Sequence, residues 1–295
     1  MMKYLKFFPF YIVSLMPFPV VYLFSDCMFV VLYYLMKYRR AVVHSNLKNS
    51  FPNKTLEERK RIEKEFYKHF CDLVFESIKT LTITKKAIAK RFHIKNEKLL
   101  VELFAQKKGI LLYSAHYGNW EWLCFISLFT SYRTQALYQK LSNAYFNDLM
   151  LRIRTRFGMT CFESDQGYKG IIKAQQEKVF TITGIIGDQS PKKNSSKHWV
   201  HFLNQETAFL TGVDRIVKKF NYTVIFPLFY KYKRGKYAIE FSVISDHPKE
   251  LANAEIINAY ARKLEESIVK SPELWLWSHR RWKLTNTDNK QTPYE

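Results

Sequence analysis

Cysteine is scarce in this sequence and follows no pattern. The four present, Cys27, Cys71, Cys124 and Cys161, lie far apart without Cys-x-x-Cys spacing. That argues against a disulfide framework and against a zinc site built on thiolates, and it predicts reduced thiols in a cytoplasmic setting. Glycine-rich phosphate loops are missing too. Gly184 and Gly187 do not complete a Gly-x-Gly-x-x-Gly pattern, so no nucleotide cofactor is expected. No Gly-x-Ser-x-Gly elbow occurs, which argues against the covalent mechanism of α/β-hydrolases. Two histidines, His198 and His201, are spaced to clip a metal, but they sit among lysines and serines without a carboxylate partner; no metal site is expected. Acidic residues are the short side of the charge balance. Asp and Glu number 26 against 47 Lys and Arg, a formal charge of +21. Such a field attracts nucleic acid, anionic lipid or an acidic protein, and composition alone does not choose among them.

What is abundant is aromatic: 24 Phe, 19 Tyr and 6 Trp in 295 residues, more than an ordinary soluble core needs. The length allows one large domain or two small ones with an ample core. The apolar residues gather first at the N-terminus. Residues 7–25 are uncharged and mostly apolar, Asp26 interrupts, and residues 27–36 are apolar again before Lys37, Arg39 and Arg40. A secretory signal is not indicated, because there is no Ala-x-Ala site and the apolar stretch runs too long. Pro9, Pro17 and Pro19 break any simple helix. A straight spanning helix from about Val20 to Met36 would carry Asp26 inside it. An interfacial or re-entrant anchor accommodates the prolines and Asp26 better, and a buried helical hairpin remains the third reading. If the segment meets a membrane, Lys37, Arg39 and Arg40 mark the cytoplasmic side. Residues 1–40 are therefore set apart as a membrane-associated helical segment, 41–284 as the main domain, and 285–295 as a polar, disordered tail.

The chemistry concentrates in residues 109–123, Gly-Ile-Leu-Leu-Tyr-Ser-Ala-His-Tyr-Gly-Asn-Trp-Glu-Trp-Leu. The apolar run Ile110 to Tyr113 reads as a buried strand. A turn with Gly118 and Asn119 comes next, then an apolar helix from Trp120 to Phe129. His116 lies at the strand end and Glu121 in the first helical turn. On one continuous helix, residues five apart diverge by about 140°. With His116 in the turn, its imidazole can fold back onto the Glu121 carboxylate. A carboxylate that fixes one tautomer of a neutral histidine makes it a general base near neutral pH. A plain structural hydrogen bond is the alternative.

Along the rest of the chain, Thr55-Leu56-Glu57-Glu58 has capping-box spacing, and Ile62, Phe66, Phe70, Leu73, Ile78 and Leu81 recur at helical spacing. One long amphipathic helix ending near Thr82 is expected, with a short helix over 96–104. Gln135 to Tyr138 reads as a strand and Ala144 to Phe157 as a helix. Arg152, Arg154 and Arg156 near its end either complement the helix dipole or grip a phosphate or pantetheine oxyanion. Lys169 to Ala174 is helical, and Val179 to Ile186 is a strand ending at Gly187-Asp188-Gln189. An acidic residue just past a strand end is where α/β proteins place working groups, although turn or helix capping also suits Asp188. Ser190 to His201 reads as a polar loop and Glu206 to Gly212 as a helix start continuing to Phe220. Two strands, Tyr222 to Tyr230 and Tyr237 to Ile244, form a hairpin at Gly235. A helix covers 254–269. Ser271-Pro272 opens a last short helix holding Leu274-Trp275-Leu276-Trp277-Ser278-His279-Arg280-Arg281-Trp282-Lys283, an aromatic and basic cluster that a nucleic-acid surface could also use.

The His116 block resembles the HX4(D/E) signature of glycerolipid acyltransferases. More closely, His-Tyr-Gly-Asn-Trp-Glu resembles the corresponding block of the late (lauroyl/myristoyl) acyltransferases of lipid A biosynthesis. Arg39-Arg40, Asn46-Leu47 and Phe51-Pro52, the Asp188-Gln189 pair, and the C-terminal Trp277-Ser278-His279-Arg280-Arg281 block are similar in outline and order, from about Arg39 to Lys283. The resemblance implies an α/β fold, a mixed β-sheet flanked by helices as in glycerolipid acyltransferases. It implies transfer of an acyl group from acyl carrier protein, a donor substrate and not a cofactor, to a hydroxyl of a lipid A precursor in lipopolysaccharide biosynthesis. The setting would be the cytoplasmic face of the cell inner membrane. His116 and Glu121 would be the catalytic dyad, with Asn119, Arg154, Arg156, Asp188 and Gln189 contacting or supporting substrate. The positive charge would then serve the acidic carrier protein and the anionic membrane surface, with no nucleic-acid partner. The same dyad on an amino-acid lipid or a glycerophospholipid, thioester hydrolysis, and a non-enzymatic basic membrane- or nucleic-acid-binding protein are the alternatives.

Overall fold

The apolar N-terminus folds as two helices and not one. In the computed structural model, which describes residues 6–164 and 166–285, α1 (Phe8–Leu15) stops at Met16-Pro17, and α2 (Phe18–Val30) runs on through a π-helical turn, Val31–Leu35. The prolines sit where helices tolerate them, Pro9 and Pro19 in first turns and Pro17 at an N-cap. The stretch Phe18–Leu35 is long and apolar enough to cross a membrane by length and composition, and only 22% of it is buried. Its outer side exposes Leu23, Leu35 and Met36, and α1 exposes Phe8 and Leu15. Its inner side buries Val21, Phe29 and Tyr33 and carries polar anchors: Tyr22, Ser25 and Asp26 all hydrogen-bond to the domain. Asp26 is thus half of an ion pair with Arg234 at 2.6 Å.

After α3 (Arg40–Ser50), the long helix α4 (Leu56–Lys79) starts where the capping box predicts. Glu58 N–H donates to Thr55 Oγ1, and Thr55 N–H donates to Glu58. Then come α5 (Lys85–Ala89), β1 (Phe92–Ile94), α6 (Glu97–Ala105) and β2 (Ile110–Ser114). Trp120–Leu128 is a 3-10 helix where an α-helix is expected. The chain continues through β3 (Arg133–Tyr138), α7 (Ala144–Thr155), β4 (Thr160–Glu163), α8 (Gly167–Gln176) and β5 (Thr181–Ile186).

Three expectations fail in the C-terminal third. The end of the expected loop at 190–201 and the helix start expected at 206–212 instead form a separate antiparallel hairpin, β6 (Lys197–Phe202) and β7 (Gln205–Leu210). Its two-residue turn places Leu203 and Asn204 at φ 49° and 60°, the left-handed pair that a tight hairpin requires. Helix α9 (Gly212–Phe220), the hairpin of β8 (Thr223–Lys233) and β9 (Lys236–Ser245), and α10 (Glu255–Lys270) then form as expected. The expected last helix shrinks to a 3-10 turn, Pro272–Leu274. Beyond it Trp275 is extended and pairs with the His116 turn, and the chain then runs on through tight turns. Leu276 N–H donates to His116 O and Gly118 N–H donates to Leu274 O. Of the polar tail, 286–295 lies outside the described residues.

The main sheet has seven strands in the order β1-β9-β8-β2-β5-β3-β4. Every neighbouring pair is parallel except β8–β9, so it is a mixed sheet flanked by helices, as expected. The middle strand β2 is fully buried. Parallel pairing of β2 with β5 sets Ser114 opposite Ile186. The two strands therefore end side by side, and the turns that leave them start from neighbouring positions.

Candidate active site

Two residues past the paired Ser114 and Ile186 stand His116 and Asp188. The sheet register alone makes them neighbours, and their side chains meet: His116 Nδ1 lies 2.7 Å from Asp188 Oδ1. His116 N–H donates to Asp188 Oδ2 at 3.1 Å, and the Trp275 indole N–H donates to the same oxygen at 2.8 Å. Asp188 is 3% exposed. Burial works against its charge. The facing imidazole, with the hydrogen bonds from His116 and Trp275, outweighs that and holds the carboxyl below the usual carboxylate range. A carboxylate accepts only, so it fixes the Nδ1–H tautomer and leaves Nε2 as the acceptor. Nε2 accepts from the Gln189 amide nitrogen at 3.3 Å, and the Trp120 ring meets the imidazole edge-on at 5.2 Å.

Glu121 is not the hydrogen-bond partner of His116. Its carboxylate is clamped by the guanidinium of Arg154, Nε to Oε2 at 2.9 Å and Nη2 to Oε1 at 2.6 Å. Burial would raise the Glu121 pKa; Arg154 overcomes this and holds it below the ordinary value. The physical reason is the local backbone. Gly118, at φ +64°, turns the chain sharply, and Asn119 then caps the 3-10 helix that carries Glu121 away from the imidazole. Alanine is ill suited at 118, where a Cβ would come within 2.6 Å of the Phe229 ring.

The other expected contact residues divide. Asp188 and Gln189 meet His116, and Arg154 reaches the site through Glu121. Arg156 does not enter it, because its guanidinium donates to the carbonyls of Thr80 and Ile83. With Arg152, it lines a cavity of about 270 Å³ beside Tyr11 and Leu81. Asn119 is fully buried and is a support of the turn: its Nδ2–H donates to Glu76 Oε2 at 2.6 Å, and its Oδ1 accepts from Trp122 N–H. No group of three or more potential metal ligands occurs among the described residues.

Three further residues support the site without a motif that marks them in the sequence. Trp275 lies in the aromatic C-terminal block, where it forms a bridge to Tyr117 and reaches Asp188. His69 and Glu76, both buried in α4, hold the turn from below: His69 Nε2–H donates to Gly118 O at 3.1 Å. The available signal was the recurrence of ionisable residues 69, 72 and 76 at helical spacing within an apolar stripe.

Comparison with known proteins adds the chemistry to this geometry. The family model described as bacterial lipid A biosynthesis acyltransferase matches residues 1–284. No curated protein matches the chain.

Proposed function

The chain belongs to the bacterial lipid A biosynthesis acyltransferase family, and from that premise we propose that His116 is the general base of an O-acyl transfer. The acyl donor is a thioester on acyl carrier protein, and the acceptor is a hydroxyl of a lipid A precursor. The supporting observation is the His116–Asp188 contact at the ends of β2 and β5, with Nε2 turned toward Gln189. The acceptor hydroxyl takes the position near Nε2 and gives up its proton as its oxygen attacks the thioester carbonyl. The C–O bond forms, the C–S bond breaks, and the carrier thiolate leaves and takes a proton. Asp188 holds the imidazole in the required tautomer and stabilises the imidazolium without itself taking the proton, as the carboxylate of a Ser-His-Asp triad does. A positioned general base contributes about 10²–10⁴ in rate. Glu121 and Arg154 form a nearly neutral pair that supports the site wall.

The exposed apolar side of α1 and α2 docks on the cytoplasmic face of the inner membrane, and the +21 charge favours both an acidic carrier and an anionic surface. The test is transfer of labelled acyl groups from acyl carrier protein to a lipid A precursor by the wild type and by His116→Ala. Transfer that disappears in a folded His116→Ala supports the reading. Consumption of thioester without an acylated lipid makes the protein a thioesterase, and acylation of an amino-acid lipid or glycerophospholipid alone moves the acceptor. Undiminished transfer in His116→Ala refutes the base.

A further inference from the structure

Beneath the His116 turn lies a buried polar network that the reaction as written does not use. Its centre is Glu76, on α4 and with no exposed surface. Oε2 accepts from Asn119 Nδ2 at 2.6 Å and from the Tyr237 hydroxyl at 3.0 Å, and Oε1 accepts from the Tyr22 hydroxyl at 2.9 Å. The Glu76 main-chain oxygen accepts from the Trp122 indole N–H at 3.3 Å. One residue of α4 therefore grips positions 119 and 122, while His69, two turns earlier, grips Gly118. The donors come from three separate elements: Tyr22 from the apolar helix α2, Tyr237 from β9, and Asn119 from the turn itself.

A carboxyl buried this deeply is costly, since desolvation alone amounts to several kcal/mol. Burial, with Asp72 next, pushes its pKa up to about 7. Packing alone would be served by a leucine. What a carboxyl adds is two oxygens that fix three donors at once, and one donor is the residue that caps the helix after His116.

We propose that Glu76 is a positioning residue for the acyl transfer, joining the apolar N-terminal helix through Tyr22 to the turn that carries His116 through Asn119. The inference rests on His116 being the base. The apolar helix is then more than an attachment: its Tyr22 completes the support of the site. Asp72, one turn before Glu76, reinforces the same junction. It accepts from Ser25 of α2 at 2.7 Å and from Arg234, which also reaches Asp26.

The experiment compares Glu76→Leu, Glu76→Gln and Asn119→Ala in the full-length protein in detergent. Acyl transfer is measured together with the histidine ring resonances, that of His116 being assigned by its loss in His116→Gln. Displacing a catalytic group by about 1 Å costs on the order of 10²-fold, so Glu76→Leu should lose about that in kcat, with KM for donor and acceptor little changed. Its His116 resonance should shift. The amide of Glu76→Gln can still accept from Asn119 and donate to Tyr22, so kcat should return to within about threefold of wild type. Asn119→Ala cuts the link from the turn side and should reproduce the kcat loss, which decides the matter if Glu76→Leu fails to fold. Wild-type kcat in folded Glu76→Leu or in Asn119→Ala overturns the proposal, as does a loss confined to KM or a Glu76→Gln as impaired as Glu76→Leu. If wild type transfers no acyl group, the functional reading fails. The resonances then decide positioning separately: a His116 signal unmoved in Glu76→Leu overturns it, and one that moves in Glu76→Leu but not in Glu76→Gln supports it.

Discussion

Replacing Asp188 by asparagine separates the role assigned to it from mere support. The amide is nearly isosteric, but one of its two heads becomes a donor. Three donors converge on Asp188: the His116 ring at Oδ1, and His116 N–H and Trp275 Nε1–H together at Oδ2. An amide that keeps its oxygen toward the ring sets its NH2 against two N–H groups. Turned around, it satisfies both with its oxygen and presents NH2 to Nδ1. That second orientation wins, because the first leaves two buried donors unpaired at about 1–3 kcal/mol each. Nδ1 must then accept, the proton moves to Nε2, and the imidazole loses the lone pair a general base needs. Asp188→Asn should therefore fold, with stability reduced by no more than about 1–2 kcal/mol. Its kcat should fall by about 10²–10⁴, the range for loss of a general base, the upper end matching the effect of the same exchange in a serine-protease triad. Initial rates of acyl transfer with saturating donor measure the loss, and the ring nitrogen shifts of His116 report the tautomer. A variant that keeps more than about a tenth of wild-type kcat, beside a Glu121→Gln without activity, would refute the reasoning and return the orienting role to Glu121.

Glu121→Ala and Arg154→Ala should each destabilise the fold by about 3 kcal/mol or more, because each strands a buried charge. The double variant should cost well under the sum of the two in chemical denaturation, and additivity would break the assignment of the pair. His69 is buried as a neutral ring, its pKa pushed down to about 3 by burial and, next, by Lys231. Its folded value lies below the unfolded one of about 6.5, so its contribution is complete above that pH and is lost as pH falls, by about 1.4 kcal/mol per unit. Wild type should thus lose about 2 kcal/mol relative to His69→Gln between pH 7.5 and 5; Glu76 titrates the opposite way in both proteins, and a flat difference would refute the buried neutral ring. Gly118→Ala should lower stability by about 1–3 kcal/mol and reduce kcat, because it forces φ +64° on a residue with a Cβ aimed at Phe229; a wild-type melting temperature would contradict this. Exchanging Phe8, Leu15 and Leu23 for serine should weaken flotation with anionic vesicles while leaving the fold intact, and unchanged flotation would remove the docking face.

The elements legible in the sequence were those specified locally. The capping box at Thr55, the apolar run into Ser114, the glycine hairpin at 235 and the periodic face of α10 need only their own neighbours. The β6–β7 hairpin was missed because its turn is Leu203-Asn204 and not an Asn-Gly pair, so the tight turn carried no signal. The last helix was overestimated because a proline start and a mixed aromatic run resemble one. What ends the helical turn there is pairing of residues 274–276 with residues 116–118, more than 150 positions away, and no local rule contains that. Asp188 was recognisable as a strand-end acid, and its meeting with His116 comes from the β2–β5 register, which periodicity does not supply. Asn119 shows the opposite error. Its place in the motif points to substrate, whereas its partner is Glu76, a buried group on a helix that reads as plain core.

The same contrast explains why spacing favoured Glu121 over Asp188. A separation of five residues across a turn is compatible with contact, and only the third partner decides. Arg154 engages both Glu121 oxygens. Were Glu121 to turn to the imidazole, it would exchange a bidentate, charge-assisted pair for one bond to a neutral ring and leave the guanidinium largely buried without its counter-charge. Among the described residues Asp188 has no guanidinium clamped to it; its hydrogen-bond donors are the imidazole, a main-chain amide and an indole, and the buried Arg281 acts on it only through its charge. Its carboxylate is thus the one in direct contact with the ring when His116 becomes an imidazolium. The carboxylate neutralised by arginine supports the wall, and the carboxylate left to neutral donors stabilises the proton on the base.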